Sequence, residues 1–253
     1  MLGIYFSGTG NSKYALEVFM NEYNNNSELF SITEQRIIEE IKKHDELIFS
    51  YPVQYSTVPK LLRDYINENA NLWRGKKIFI IATMGLFSGD GSGVLGRLLK
   101  MHGANILGGI HLTMPDSIAD EKVLKRTKQK NIKLIQKATN KITATVNSIK
   151  HGTPPQEGLS LFSRMIGFLG QRLWFGHKTK NYTSKLKIDK NKCIGCSICA
   201  NLCPTKNITI IDKKANANNK CTMCYACINK CSKQAITLLG KSVIETTSIE
   251  KYF

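Results

Sequence analysis

Through the first 150 residues, short apolar runs alternate with longer stretches whose apolar positions recur three and four apart. Runs of this kind suit buried strands, and the wider spacing suits helices that lay one face on a sheet. The pattern predicts strands at Leu2 to Phe6, Leu29 to Ile32, Leu47 to Tyr51, Lys77 to Thr83 and Asn105 to Leu112. Five strands separated by helical segments imply repeated βα units and a parallel, doubly wound sheet. A last helix is expected from the capping pattern Ser117-Ile-Ala-Asp120 onward. Its later stripe is Ile132, Ile135, Thr139, Ile142, Val146 and Ile149, with lysines facing water.

The periodicity stops at His151-Gly152-Thr153-Pro154-Pro155, which cannot continue a helix and marks a domain boundary. The expected organisation is therefore an α/β domain over residues 1–150, a linker over 151–184, and a smaller unit with a C-terminal tail over 185–253. The linker holds an apolar, aromatic segment from Leu159 to Phe175, including Phe162, Met165, Phe168, Leu173 and Trp174 and interrupted by Arg164 and Arg172. Such a helix either pins two modules together or lies on a membrane surface, interdomain packing being the commoner use.

Composition adds one strong asymmetry: the first 192 residues contain no cysteine, and all eight cysteines fall between Cys193 and Cys231. An even count also suits a secreted disulfide scaffold, but Met1 to Phe6 reads as a buried strand without a basic leader. The longest apolar run, Ile78 to Phe87, is about half of the roughly 20 residues a membrane span requires. The expectation is a cytoplasmic, reduced protein with no transmembrane segment.

The formal net charge is +17, with the excess concentrated between Asp120 and Lys192, notably at Lys122, Lys125, Arg126, Lys128, Lys130 and Lys133. Its plain reading is a solvated helix face. The alternative is a docking surface for an acidic redox protein; nucleic acid is not the expected partner. The five histidines show no ligand spacing. Oligomeric state is left open, a homodimer included.

The cysteines form two groups, Cys193-Ile-Gly-Cys196-Ser-Ile-Cys199-Ala-Asn-Leu-Cys203-Pro204 and Cys221-Thr-Met-Cys224-Tyr-Ala-Cys227-Ile-Asn-Lys-Cys231-Ser232, offset by 28 residues. The offset continues into Ile208-Thr-Ile and Ile236-Thr-Leu, so the segment is an internal duplication. Paired Cys-x2-Cys elements also bind zinc, but a third cysteine at the same spacing and a fourth after three residues point to iron-sulfur clusters. Leu186 to Leu239 resembles a bacterial-type ferredoxin with two [4Fe-4S] clusters. The resemblance implies crossed ligation, in which one cluster takes Cys193, Cys196, Cys199 and Cys231 and the other takes Cys221, Cys224, Cys227 and Cys203. Ser232 stands where that family has proline.

After the first strand, Ser7-Gly8-Thr9-Gly10-Asn11-Ser12 opens a helix. Glycines that admit an anion, flanking hydroxyls and a helix N-terminus together make a monophosphate cradle. The loop lacks a Walker lysine and does not match Gly-x-Gly-x-x-Gly. With the five-strand pattern, it resembles flavodoxin over roughly residues 1–149. That resemblance implies sheet order 2-1-3-4-5, FMN as cofactor, and a flavin ring at the sheet's switch point. The ring would meet Pro52, Val53, Gln54 and Tyr55 on one loop and Thr83, Met84, Gly85, Phe87 and Asp90 on another, Tyr55 and Phe87 being the stacking candidates. Gln54 to Val58 contains no glycine, so a positive φ there would be costly, most of all at Thr57.

The whole chain resembles fused flavodoxin-ferredoxin proteins of anaerobes, a flavodoxin-like domain followed by a small α+β ferredoxin domain. Two oxidised clusters and a flavin phosphate would lower the net charge to about +11. The implied function is an electron-transfer flavoprotein relaying electrons between a redox partner, two [4Fe-4S] clusters and FMN. The alternative is a ferredoxin-fed reductase of a quinone or small organic acceptor. No catalytic acid or nucleophile stands out.

Overall fold

In the computed structural model, residues 1–24, 28–169 and 181–253 are described. Strands β1 (Leu2–Tyr5), β2 (Glu28–Ser31), β3 (Glu46–Pro52), β4 (Lys77–Met84) and β5 (Asn105–Thr113) form one parallel sheet in the order β2-β1-β3-β4-β5. Each strand overlaps the apolar run that predicts it. The order is the flavodoxin-like one, with its switch point between β1 and β3.

The sheet is covered on both faces, as a parallel sheet requires. Helices α1 (Asn11–Tyr23) and α5 (Lys128–Lys150) cover one face, burying Leu16, Phe19, Ile135, Ile142 and Val146 against Ile48, Phe79 and Ile81. On the other face α2 (Ile37–Lys43), α3 (Lys60–Glu68) and α4 (Gly91–Met101) bury Ile41, Leu62, Ile66 and Leu95 against Ile4, Phe49 and Ile80. Alternate residues of β3 and β4 thus serve opposite cores.

The helix expected from Ser117 begins instead at Lys128, where Thr127 Oγ1 accepts the Lys130 N–H. Residues 114–127 form an irregular loop because their capping groups are spent on the cysteine-rich unit. The buried Asp120 carboxylate accepts from the Tyr225 hydroxyl at 2.8 Å and from the N–H groups of Leu238 and Leu239 at 2.6 and 3.0 Å. Asn229 Nδ2 donates to the Ser117 carbonyl at 3.0 Å.

The Gly/Pro break does not leave the sheet either. The Gly109 N–H donates to the Pro155 carbonyl at 2.8 Å and the Glu157 N–H to the Gly109 carbonyl at 3.0 Å, covering the free edge of β5. Helix α6 (Leu161–Gly167) follows, with Gly167 set closely against Asp90 of the loop leading into α4. Its Leu161, Phe162 and Met165, with Phe168 and Leu169 beyond, are exposed rather than buried against the cysteine-rich unit. The expected continuation through Arg172, Leu173, Trp174 and Phe175 lies outside the described residues. Among the described residues, no helix is long and apolar enough to cross a membrane.

The cysteine-rich unit has two antiparallel pairs, β6 (Lys187–Ile188) with β9 (Ile236–Thr237) and β7 (Ile208–Ile211) with β8 (Lys214–Ala217). Two short helices, Ile198–Asn201 and Ala226–Lys230, complete it. The tail then returns to the α/β domain: the Ile249 N–H donates to the Thr9 carbonyl at 3.0 Å, and the rings of Phe253 and Tyr14 lie 5.2 Å apart.

Candidate functional site

The turn between β1 and α1 is shaped by two glycines that meet the rest of the chain. Gly10 turns the backbone into α1 with a φ of 91°, a conformation other residues resist, and a Cβ there would strike Ile249. Gly8 admits the backbone of Cys224 so closely that a Cβ would overlap the Cys224 carbonyl. Helix α1 starts with no side-chain cap and no acidic residue in its first turn. Asn11 Nδ2 donates to the Pro115 carbonyl at 2.7 Å. The Ser12 hydroxyl, expected to face an anion, is instead 2.7 Å from the Thr83 hydroxyl in a buried hydrogen bond.

This turn closes one end of a cavity of about 270 Å³. Ser7, Gly8, Thr9, Asn11 and Ser12 line that end, and Pro52, Val53, Gln54, Tyr55, Thr83, Met84, Gly85 and Phe87 line the sheet-edge walls. Two predicted residues stand apart. Gly10 acts through its backbone turn, and Asp90 is fully buried and ion-paired with Arg97. Two further walls escaped sequence reasoning: the loop from Met114 to Leu124, and Met223, Cys224 and Tyr225 from the cysteine-rich unit. Among the described residues, no lysine or arginine lines the cavity.

The 54–57 segment is a two-residue hairpin turn. Gln54 and Thr57 exchange backbone hydrogen bonds at 3.1 and 2.9 Å, and the central residues Tyr55 and Ser56 have φ of 47° and 58°. Both central residues left-handed is the type I′ turn. The strain therefore falls on Tyr55 and Ser56, not on Thr57. The turn is braced from the cysteine-rich unit, since Gln54 Nε2 donates to the Met223 carbonyl at 2.9 Å. Tyr55 packs against that unit's core, and burial, with lesser contributions from Glu121, Asp116 and Asp120, pushes its phenol up to about 12. Phe87 lies at the outer rim, 57% exposed.

Two members of the basic run support the new wall instead of facing water. Lys125 Nζ bonds the Ile118 carbonyl at 2.6 Å and lies 3.2 Å from Asp116 Oδ2; Arg126 donates to the Gly85 carbonyl at 3.0 Å.

The eight cysteines are free thiols around two smaller cavities. Cys193, Cys196, Cys199 and Cys231 line one; Cys203, Cys221, Cys224 and Cys227 line the other. Among the described residues, no three His, Cys, Asp or Glu side chains converge as the ligands of a single ion would. Each set of four surrounds one space, as the ligands of a cluster would. In both sets backbone N–H groups point at sulfur: Ala215 to Cys193 at 3.4 Å, Ala235 to Cys231 at 3.4 Å, Asn207 to Cys203 at 3.2 Å and Met223 to Cys221 at 3.4 Å.

The sets differ in environment. In the first set N–H groups of Ala215 and Gly195 lower the Cys193 thiol while burial raises Cys199; in the second, burial pushes Cys221 up to about 11, Cys224 to about 12 and Cys227 well above its usual value. Cys224 lines both its own set's cavity and the large one.

Residues 185–232 match the family model of the 4Fe-4S dicluster domain. Among solved structures, oxidised Flavodoxin 2 from Bacillus cereus is similar at 17% identity and a TM-score of 0.44, covering 60% of this chain and 97% of that one. The two-electron reduced flavodoxin of Megasphaera elsdenii is similar at 16% identity and a TM-score of 0.41, covering 56% of this chain and 99% of that one. No curated protein matches the chain. A flavodoxin-like sheet and a 4Fe-4S dicluster domain are thus joined in one polypeptide.

Proposed function

We propose that this chain is an electron-transfer flavoprotein, with FMN in the large cavity and a [4Fe-4S] cluster in each small one, passing single electrons between a redox partner, the clusters and the flavin. The observation that carries this reading is the position of Cys224, which belongs to one cysteine set and is also a wall of the flavin-sized cavity. FMN supplies one- or two-electron chemistry when bound, and each cluster supplies one-electron chemistry.

The residues fit these groups. The first turn of α1 is uncapped and has no acidic residue, so its N–H groups and the helix potential would hold a phosphate without a basic side chain. Tyr55 and Phe87 offer aromatic surface for a flavin ring. The crossed cysteine sets would hold the clusters. Asn207 adds a donor to the second set's cavity, which it lines. Its Oδ1 accepts from the N–H groups of Asn218 at 3.2 Å and Lys220 at 2.5 Å, which leaves Nδ2, buried and without a partner among the described residues, to meet a cluster sulfur. Met223 and Tyr225, both buried, exclude water between the second set and the large cavity.

Quantifying iron, acid-labile sulfide and FMN in anaerobically purified protein tests this directly. The expected content is about eight irons, about eight sulfides and about one FMN per chain. Stoichiometric zinc without sulfide would remove the cluster reading, and clusters without flavin would remove the relay.

The exposed Leu86, Phe87 and Val123 around the cavity favour a second reading, a ferredoxin-fed reductase whose flavin serves an apolar acceptor. Turnover of quinones by the reduced protein separates the two, and negligible turnover across a quinone series would leave only the carrier.

A further inference from the structure

The duplication lets one repeat act as a control for the other. Gly195 and Met223, 28 residues apart, have φ of 71° and 53°, and the next pair, Ser197 and Tyr225, has 65° and 61°. The two loops therefore share a left-handed pattern.

In the second repeat this loop is an interface. Thr222 is 3% exposed, and its hydroxyl accepts the Leu61 N–H at 3.2 Å. Gln54 reaches the Met223 carbonyl, Tyr225 reaches Asp120, and Gly8 receives Cys224. In the first repeat the corresponding loop faces outward. Its counterpart of Thr222 is Ile194, 59% exposed, and Ile198 and Leu202 beyond it are also exposed, as is Cys196. A hydroxyl residue thus lies in the buried copy and an isoleucine in the solvated one, the reverse of what water alone would favour.

The apolar loop is set in positive charge. From Lys185 to Lys241 the sequence has eleven lysines, no arginine and only two acidic residues, Asp189 and Asp212. Lys213 packs its backbone against Gly195, Lys214 Nζ donates to the Cys193 carbonyl at 2.6 Å, and Lys233 lines the first set's cavity. Lys190 and Lys192 are exposed on the segment entering it. An apolar centre with a charged rim is the anatomy of a protein interface, and a basic rim selects an acidic partner. A second copy of this chain would bring two basic rims together. The basic face of α5, with Lys130, Lys133, Gln136 and Lys137 exposed, has no such apolar centre.

Resting on the two-cluster relay proposed above, we infer that the Ile194–Ser197 loop and its lysine rim are the docking face for an acidic one-electron redox protein. In each encounter one electron crosses between the partner's centre and the cluster held by Cys193, Cys196, Cys199 and Cys231. The centre that gives the electron up is oxidised by one electron and the centre that receives it is reduced by one; no bond or proton moves. The order is then partner, first cluster, second cluster, flavin, or its reverse.

The test measures binding of an acidic two-[4Fe-4S] ferredoxin to the anaerobic holoprotein at graded salt. Binding should weaken with salt, and Ile194→Glu and the double reversal Lys213→Glu/Lys233→Glu should each weaken it about tenfold. The control Lys133→Glu/Lys137→Glu on α5 should change it by less than about twofold. Iron and sulfide content is checked in every variant, with Ile198→Glu replacing any that loses its cluster. Equal loss in the α5 control, wild-type binding by the loop variants, or no binding at low salt would each overturn the inference. Dithionite-reduced wild type separates the two readings: if its clusters reduce the flavin while the loop variants bind the probe normally, only the docking face is wrong. If the clusters are absent, the relay itself has failed.

Discussion

The two cysteine repeats share spacing, loop conformation and N–H···S contacts, yet they occupy opposite environments. The first opens outward through Ile194, Cys196 and Ile198; the second is closed by Gln54, Gly8, Tyr225 and Asp120 from both units. Similar ligand geometry does not make equivalent sites. Contacts beyond the cysteines distinguish an outer centre from an inner one, and second-sphere contacts are also what tune cluster potentials.

The strongest way to break that comparison is Cys203→Ala. Although Cys203 sits in the first sequence group, it lines the second cavity. The variant should lose the inner cluster's spin-resonance signal and about half the iron while keeping the outer one. Loss of the outer signal instead would undo the crossed arrangement.

A smaller effect is expected from Gly8→Val, whose side chain would overlap the Cys224 carbonyl. Electron passage from clusters to flavin should slow by about tenfold or more with iron content intact, as reacting groups are displaced. An unchanged rate in rapid-mixing experiments would show that the inner loop does not need its present seat.

Tyr225→Phe removes one of three donors to the buried Asp120 carboxylate and should cost about 1–3 kcal/mol of stability, read from thermal unfolding. It should also change the alkaline profile. Burial and the Asp120 carboxylate hold the Tyr225 phenol protonated well above its usual 10. The folded state then keeps a proton that the unfolded state releases, so wild-type stability falls as pH rises beyond about 10. The variant should lose part of that fall, and an identical slope would contradict the assignment.

The finest adjustment is Asn207→Ala, which gives the inner cavity the residue that its repeat counterpart Ala235 gives the outer one. Losing a donor near sulfur should lower the inner cluster's midpoint potential and leave the outer one in place. Equal shifts in both, in a spin-resonance redox titration, would point to a general packing change.

Much of this architecture is legible along the chain because it rests on local patterns. Apolar runs mark β1 to β5, and cysteine spacing with its 28-residue repeat marks the two sets. What is not legible is long-range. Ser117 and Asp120 resemble a helix cap, but their partners are Asn229, Tyr225 and Leu238, more than 100 residues away. Gly8 and Gly10 suggest an anion cradle, and no local signal says that they also admit Cys224 and adjoin Ile249. The hairpin at Tyr55 and Ser56 takes left-handed backbone without glycine because Gln54 is held from Met223. Phe162 and Met165 look like core residues, and their helix leaves them exposed.

The central claim is that electrons travel between the clusters and the flavin within one molecule. Freeze-quenching the anaerobic holoprotein after mixing with less than one equivalent of a one-electron donor tests it most directly. The reduced-cluster signal should rise first and then decay as the flavin absorbance bleaches, at a rate independent of protein concentration. Clusters that stay reduced beside an oxidised flavin, or a transfer rate that scales with protein concentration, would contradict it.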